Sequence, residues 1–422
     1  MGIHVVKAGD TLFEIAKKYR REIAEIRALN GLPSGDEIVP GLALYIPASK
    51  VENRIYKVKQ GDFLGEIAAR FDVKIPAILK ANPGLKPDVL KIGQLLKIPT
   101  RYKLRLKTLS FSFPATGGEV FSALEKSAEQ LTYLAIVAYS FTKEGYVYVI
   151  GDDSSMIAKS KQLGVMPLLM IRNFLNDEFS PELAGGVLDN TEYRQRLVRS
   201  IMSYVAEKGY AGVSMDIEFV PPASRANYVL LLRELKKALG RLVLQVNVHA
   251  KTEDLPNNRI VGGHDYKGIG KIADITAVMT IDYGYPTGPP NPISPIWWMK
   301  DVLDYAVSKI PARKIMTALP LYSYDWEVPS NKTAASSVLR AQNRAIEEKS
   351  DIHFDLKAAS PWYQYWPKKK QHDVWYEDIR SITAKYQLMD EYEIAGTTFW
   401  RLGLEFPQND AYIKQNILVL KS

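Results

Sequence analysis

From about residue 104 onward, short apolar runs alternate with longer stretches whose apolar residues recur every three or four positions. The runs read as buried strands and the stretches as amphipathic helices. Eight strands are expected, at 109–113, 133–139, 165–171, 212–218, 242–248, 275–283, 314–321 and 396–400. Helical spacing fills the intervals, most clearly over 193–208, 225–239 and 296–308. Eight strand–helix units in succession predict an α/β fold closed into a (β/α)8 barrel, the TIM-barrel architecture. Past Tyr324 the rhythm breaks, and a helix is next expected near Trp375. Residues 325–374 therefore read as a small α+β insertion, with a helix over 338–348, forming one wall of a cleft.

The first hundred residues obey a different rule. Val6-Lys7, Gly9-Asp10, Leu12, Glu14-Ile15-Ala16, Tyr19, Asn30, Gly41 and Ile46-Pro47 recur as Val58-Lys59, Gly61-Asp62, Leu64, Glu66-Ile67-Ala68, Phe71, Asn82, Gly93 and Ile98-Pro99, each offset by 52. Each copy reads as a strand, a Gly-Asp turn, two short helices and a closing strand. Leu12, Ile15, Ala16 and Tyr19 form the apolar stripe of the first helix. Two β-α-α-β units, 1–48 and 52–100, thus precede a third unit, 104–422. Paired copies suit avid attachment to a repeating polymer, leaving the third unit to act on what they hold.

Composition narrows the choice of chemistry. A chain of 422 residues, 46% apolar, can bury a large core. Its longest apolar run, 131–141, is interrupted by Thr132, Tyr133, Tyr139 and Ser140, so a strand is expected there and not a membrane span. The opening residues lack the charged and apolar regions of a secretory leader. With no cysteine there is neither disulfide nor thiolate chemistry, and five scattered histidines show no metal-ligand spacing. Neither a metal nor a cofactor is expected. The net charge is +8, and residues 1–100 carry 16 Lys and Arg against 11 Asp and Glu. These charges are dispersed, without the basic, aromatic-laced stripe of a nucleic-acid surface. Neither nucleic acid nor membrane is an expected partner.

Candidate chemistry concentrates in Val213-Ser214-Met215-Asp216-Ile217-Glu218. Strand alternation sends Ser214, Asp216 and Glu218 to one face and the apolar residues to the other. Same-face neighbours lie about 7 Å apart, so an ionised Asp216 keeps Glu218 protonated to higher pH. The pair ends the fourth strand, at the barrel mouth where enzymes of this architecture carry their sites. Gln245 and Asn247 alternate on the fifth strand and either line that mouth or satisfy the interior. All seven tryptophans lie beyond residue 296. Trp400, at a strand end, is expected to meet substrate, whereas Trp297, Trp298 and Trp375 read as helical core residues.

Both copies of the repeat are similar to LysM modules in their Val-x-x-Gly-Asp-x-Leu start, Ile-Ala helix, Asn and final Ile-Pro. LysM modules bind N-acetylglucosamine chains of peptidoglycan or chitin. In the third unit, Asp216-Ile217-Glu218, Met279-Thr280-Ile281-Asp282-Tyr283, Leu319-Pro320-Leu321-Tyr322 and Trp400 resemble glycoside hydrolase family 18. Gly288-Pro289-Pro290 with Ser294-Pro295, and Tyr322-Ser323-Tyr324-Asp325-Trp326, resemble its YaaH-type spore-germination glucosaminidases, which degrade spore cortex.

The resemblance implies a retaining hydrolase that cuts after N-acetylglucosamine and uses the substrate's own 2-acetamido oxygen as nucleophile. Glu218 would be the acid and then the base, Asp216 would orient the acetamide and stabilise the oxazolinium ion, Asp282 would support it, and Trp400 would floor the sugar. A peptidoglycan or N-acetylglucosamine polymer as partner, a monomeric state, and a place at the spore coat–cortex boundary without a signal peptide are further expectations. Two departures stand out. Ser214 and Ala211 occupy positions where the family carries acids, and Ile281 replaces the Tyr before Asp282. Ser214 is expected to donate a hydrogen bond to Asp216, Tyr283 or Tyr322 to supply the missing hydroxyl, and Gln245 to join the substrate-binding set. The same scaffold also serves catalytically silent carbohydrate-binding proteins and ordinary chitinases.

Overall fold

In the computed structural model, which describes residues 2–47, 53–100 and 103–421, eight strands close into a parallel barrel. They are β1 (Leu104–Ser112), β2 (Tyr133–Phe141), β3 (Met166–Arg172), β4 (Gly212–Asp216), β5 (Val243–His249), β6 (Ile275–Met279), β7 (Ile315–Pro320) and β8 (Gly396–Trp400). Each pairs in parallel with the next, and β8 pairs back onto β1. Every residue of β2 is buried, because one face looks into the barrel and the other lies under helices. Leu109, Phe111, Tyr133, Leu168, Met170, Ile275 and Met316 fill the interior.

Two strands stop earlier than the apolar pattern suggests. Strand β4 ends at Asp216 and β6 at Met279. Beyond them Phe219 (φ 52°) and Asp282 (φ 59°) take left-handed backbone conformations, which are strained for such residues and turn the chain out of the sheet. Trp375 is also not helical. It ends the strand Gln371–Trp375, and the helix Ile379–Tyr392 begins later, where Asp378 and Ser381 form a capping box. The insertion is a five-stranded antiparallel sheet with Tyr322–Val328 and Gln371–Trp375 at its centre, carrying the helix Val338–Glu347.

In the amino-terminal repeats the short strands Ile3–Val5 and Ala43–Tyr45 pair antiparallel, as do Asn53–Lys57 and Leu95–Pro99. The repeated Asn has a clear physical task. Asn30 donates to the carbonyls of Ile26 and Tyr45 and accepts from the Tyr45 N–H. Asn82 does the same with Ile78 and Lys97, so in each copy one amide ties the second helix to the closing strand.

The two repeats attach to the barrel in different ways. Leu12, Ile15, Ile26 and Leu44 of the first share one continuous apolar core with Ile346, Ile379, Phe406 and Tyr412. Across this seam Gln342 donates to the Asn30 carbonyl (2.8 Å), Gln408 to the Ala43 carbonyl (2.7 Å), and the Ile352 N–H to the Pro40 carbonyl (2.9 Å). At Gly41 a Cβ would lie 1.7 Å from the Ile352 carbonyl oxygen, so any side chain would force the two apart. The second repeat keeps its own core around Leu64, Ile67, Phe71, Ile78 and Ile98. Ion pairs of Arg54 with Asp390, Lys57 with Glu391, and Lys59 and Arg70 with Glu393 join it to the barrel. The pairs of Lys57, Lys59 and Arg70 are largely exposed and stabilise little, whereas that of Arg54 with Asp390 is partly buried.

The first repeat is thus built into the catalytic unit and is not a freely tethered arm. Gln342→Ala removes the donor to a carbonyl at the seam and should destabilise the whole chain by about 1–3 kcal/mol. Denaturant unfolding followed by tryptophan fluorescence, whose reporters all lie beyond residue 296, measures this. An unchanged midpoint would show that the seam is uncoupled from the barrel.

Candidate active site

The carboxyl ends of the barrel strands surround a cavity of about 460 Å³ lined by Asp216, Glu218, Asp282, Tyr322, Tyr324 and Trp400, among others. Asp216 closes β4. Glu218 follows two residues later, its backbone clamped by Asn173, which accepts from the Glu218 N–H and donates to the Glu218 carbonyl (both 2.9 Å). Asp282 accepts from the hydroxyls of Tyr322 (2.6 Å) and Tyr324 (2.9 Å). These tyrosines are alternate residues on the first strand of the insertion, so both point into the cleft. Trp400 is braced by Phe111 and Phe113, with ring centroids 5.4 and 6.4 Å away.

Beneath the cavity runs a buried chain of hydrogen bonds. Ser214 donates to Gln245, Gln245 to Asn247 (2.7 Å) and Asn247 to Asp216 (2.9 Å). Register explains the route, since Ser214 lies directly opposite Gln245 on the neighbouring strand. Ser214 therefore reaches Asp216 only through two amides, contrary to the direct bond expected. Ser214 and Gln245 are fully buried, and neither is among the residues that line the cavity. Tyr283 is likewise not among the residues that line the cavity. The turn at Asp282 sends it outward to pack against Trp297 and Trp298, with centroids 5.2 and 5.4 Å away.

Burial governs the protonation states. It pushes Asp216 up to about 6, against the pull of the Asn247 hydrogen bond and the Arg172 charge. Glu218 is raised well above the ordinary carboxylate range, first by burial and then by the charges of Asp216 and Asp282. Asp282 is raised by burial and held back by its two tyrosines. Burial lifts both carboxyls, and the charges of Asp216 and Asp282 lift Glu218 further. His249, at the end of β5, lies 3.5 Å from a Glu218 oxygen, and burial lowers it to about 4. It is a neutral neighbour and not a salt-bridge partner. His264 accepts from the His249 N–H (3.1 Å), so its other nitrogen carries the proton toward the Ile217 carbonyl (3.0 Å), pinning the residue between the two carboxylates.

A model of the glycosyl hydrolases family 18 matches residues 176–405, and the LysM domain model matches 4–47 and 56–99. The chain belongs to glycosyl hydrolase family 18. It is similar to the cortical fragment-lytic enzyme of Bacillus subtilis (strain 168), 32% identical over 432 residues that cover 100% of this chain and 99% of that one. The crystal structure of the Bacillus cereus spore cortex-lytic enzyme SleL superposes with a TM-score of 0.87 at 31% identity, covering 100% of this chain and 98% of that one. The corresponding enzyme of Bacillus megaterium QM B1551 gives 0.84 at 32%, covering 100% and 99%.

Within this family-18 barrel the departures in sequence acquire physical counterparts. Ala211 packs against the apolar barrel interior, and the amide relay supports Asp216 where buried acids stand elsewhere in the family. Tyr324, with Tyr322, brings a hydroxyl to Asp282. Arg172, Asn173, His249 and Tyr324 escaped the sequence reading. Two of them had a signal there, for His249 continues the Gln245, Asn247 alternation and Tyr324 that of Tyr322. The other two end β3 or follow it, in a run with no motif.

The two carboxyls titrate as a coupled pair, giving a bell-shaped profile of kcat/KM. The acid limb should lie near the value of about 6 at which Asp216 gains its proton, and the alkaline limb follows loss of the Glu218 proton. Asn247→Leu removes a bond that favours the Asp216 carboxylate, so its pKa rises and the acid limb moves to higher pH. An acid limb that stays in place would detach the relay from Asp216.

Proposed function

We propose that this family-18 hydrolase cleaves peptidoglycan of the spore cortex after N-acetylglucosamine, with retention of configuration. The observation that carries this reading is the pair of buried carboxyls, Asp216 and Glu218, in one cleft with Trp400, Glu218 being raised by burial and by the charge of Asp216. Glu218 donates its proton to the departing glycosidic oxygen as the 2-acetamido oxygen closes onto the anomeric carbon. Asp216 orients the acetamide N–H and balances the positive charge of the oxazolinium ion. Asp282, held by Tyr322 and Tyr324, supports the acetamide from the far side. Glu218 then takes a proton from the water that opens the ring. Support for the substrate comes from the two LysM matches and from relatives named for cortical fragments and spore cortex. The enzyme would then act as a monomer in the spore, at the boundary of coat and cortex.

Glu218→Gln keeps the shape but not the acid. It should lower hydrolysis of cortex fragments about a hundredfold or more while binding to sacculi persists. Mass spectrometry of reduced wild-type digests should find N-acetylglucosamine at the new reducing ends. Muramic ends would reject the proposed bond, and activity on chitin oligomers without any on cortex fragments would favour an ordinary chitinase.

A further inference from the structure

Arg172 makes no bond in the mechanism above, where its charge only favours the Asp216 carboxylate, and its surroundings are unusual. It ends β3, in register beside Asp216, and is only 8% exposed. Its Nε is buried without a hydrogen-bond partner, and among the described residues no ion pair holds its guanidinium. The charges of Asp216 and Glu218 offset part of the cost of burying it, but they leave the N–H donors unpaired, which is costly until an acceptor arrives. The guanidinium lies 4.3 Å from the centre of the Phe174 ring. An aromatic face accepts none of the in-plane N–H bonds, so the donor fork stays free.

The position suggests what completes it. Arg172 lines the catalytic cavity and also an adjoining groove of about 500 Å³, walled by Phe113, Tyr148, Ile150, Phe174 and Leu175. A sugar in that groove would be the neighbour of the one over Trp400. In alternating peptidoglycan both neighbours of an N-acetylglucosamine are muramoyl sugars, so the groove receives one whichever way the strand runs. Unlike any sugar of chitin, a muramoyl residue bears a 3-O-lactyl group, which ends in a carboxylate, a peptide amide or a lactam. Each end presents a strong carbonyl-type acceptor.

Resting on the peptidoglycan reading, we infer that Arg172 binds the lactyl oxygen of the muramoyl sugar beside the cleavage site and so sets selectivity for peptidoglycan over chitin. Charge-assisted bonds from a planar fork suit a carboxylate best and a lactam or amide carbonyl next.

The test compares wild type, Arg172→Lys and Arg172→Met on soluble glycans of equal length: muramoyl oligomers with free lactyl carboxylates, the same oligomers in lactam form, and chitin oligomers. Arg172→Met should lose about tenfold or more in kcat/KM on both muramoyl substrates, chiefly through KM, beyond any loss that it shares with chitin through removal of its charge beside Asp216. Arg172→Lys should recover part of the loss on the carboxylate form. Activity on chitin also reports that each variant is folded. Equal losses on all three glycans, with a displaced acid limb, would overturn the proposal and make Arg172 a tuner of the Asp216 charge. No loss on any glycan would overturn it as well. Wild-type enzyme that cuts chitin but neither muramoyl substrate would reject the peptidoglycan reading itself.

Discussion

The cost of removing carboxylates from water is the constraint around which this barrel is organised. Asp216, Glu218 and Asp282 share one cavity, and for each of them burial is the largest influence on the proton. Placing such groups in a poorly solvated pocket costs several kcal/mol per charge, on the order found for buried ions generally. The structure answers each differently. Asp216 receives a hydrogen bond from below, Asp282 receives two tyrosine hydroxyls, and Glu218 receives no side-chain hydrogen bond from the described residues. The inequality separates the three, because the group with the least hydrogen-bond support is also the one that the charges of its two neighbours raise further.

Positioning follows from the same logic. The carboxylates lie this deep because the insertion closes one flank of the cavity, with Tyr322, Tyr324, Ala335 and Ser336 in its lining. Left-handed backbone at Phe219 and Asp282 lets the chain leave the sheet immediately beside its carboxylates, the kind of local strain that surrounding packing must hold in place. Asn173 and His264 supply part of that hold through backbone contacts. The first LysM module contributes from farther away, since its core is continuous with the helices that wrap the barrel. The second is joined through ion pairs and has its own core, which leaves it the more independent of the two.

Much of this was legible from residues alone. Apolar runs mark all eight barrel strands, because parallel strands covered on both faces must be apolar throughout. The offset of 52 marks both modules, and alternation around Asp216 marks the acid pair. Strand ends were less legible. Runs at 212–218 and 275–283 remain apolar after the chain has left the sheet, since Ile217 and Ile281 still pack inward or against the insertion. The destination of Ser214 was hidden because it depends on which residue faces it across the barrel, and register is a property of two strands. The same holds for Tyr283, whose side of the turn is decided by the positive φ at Asp282, and for Arg172, whose significance is the absence of a partner.

On the proposed mechanism the substrate's acetamide and not a protein carboxylate attacks the anomeric carbon, and water enters later from the face that the leaving group vacated. Proton NMR of the first sugar released by wild-type enzyme from a soluble cortex fragment reads this directly, before mutarotation mixes the anomers. Appearance of the β-anomer first is the predicted result. Appearance of the α-anomer first would contradict it.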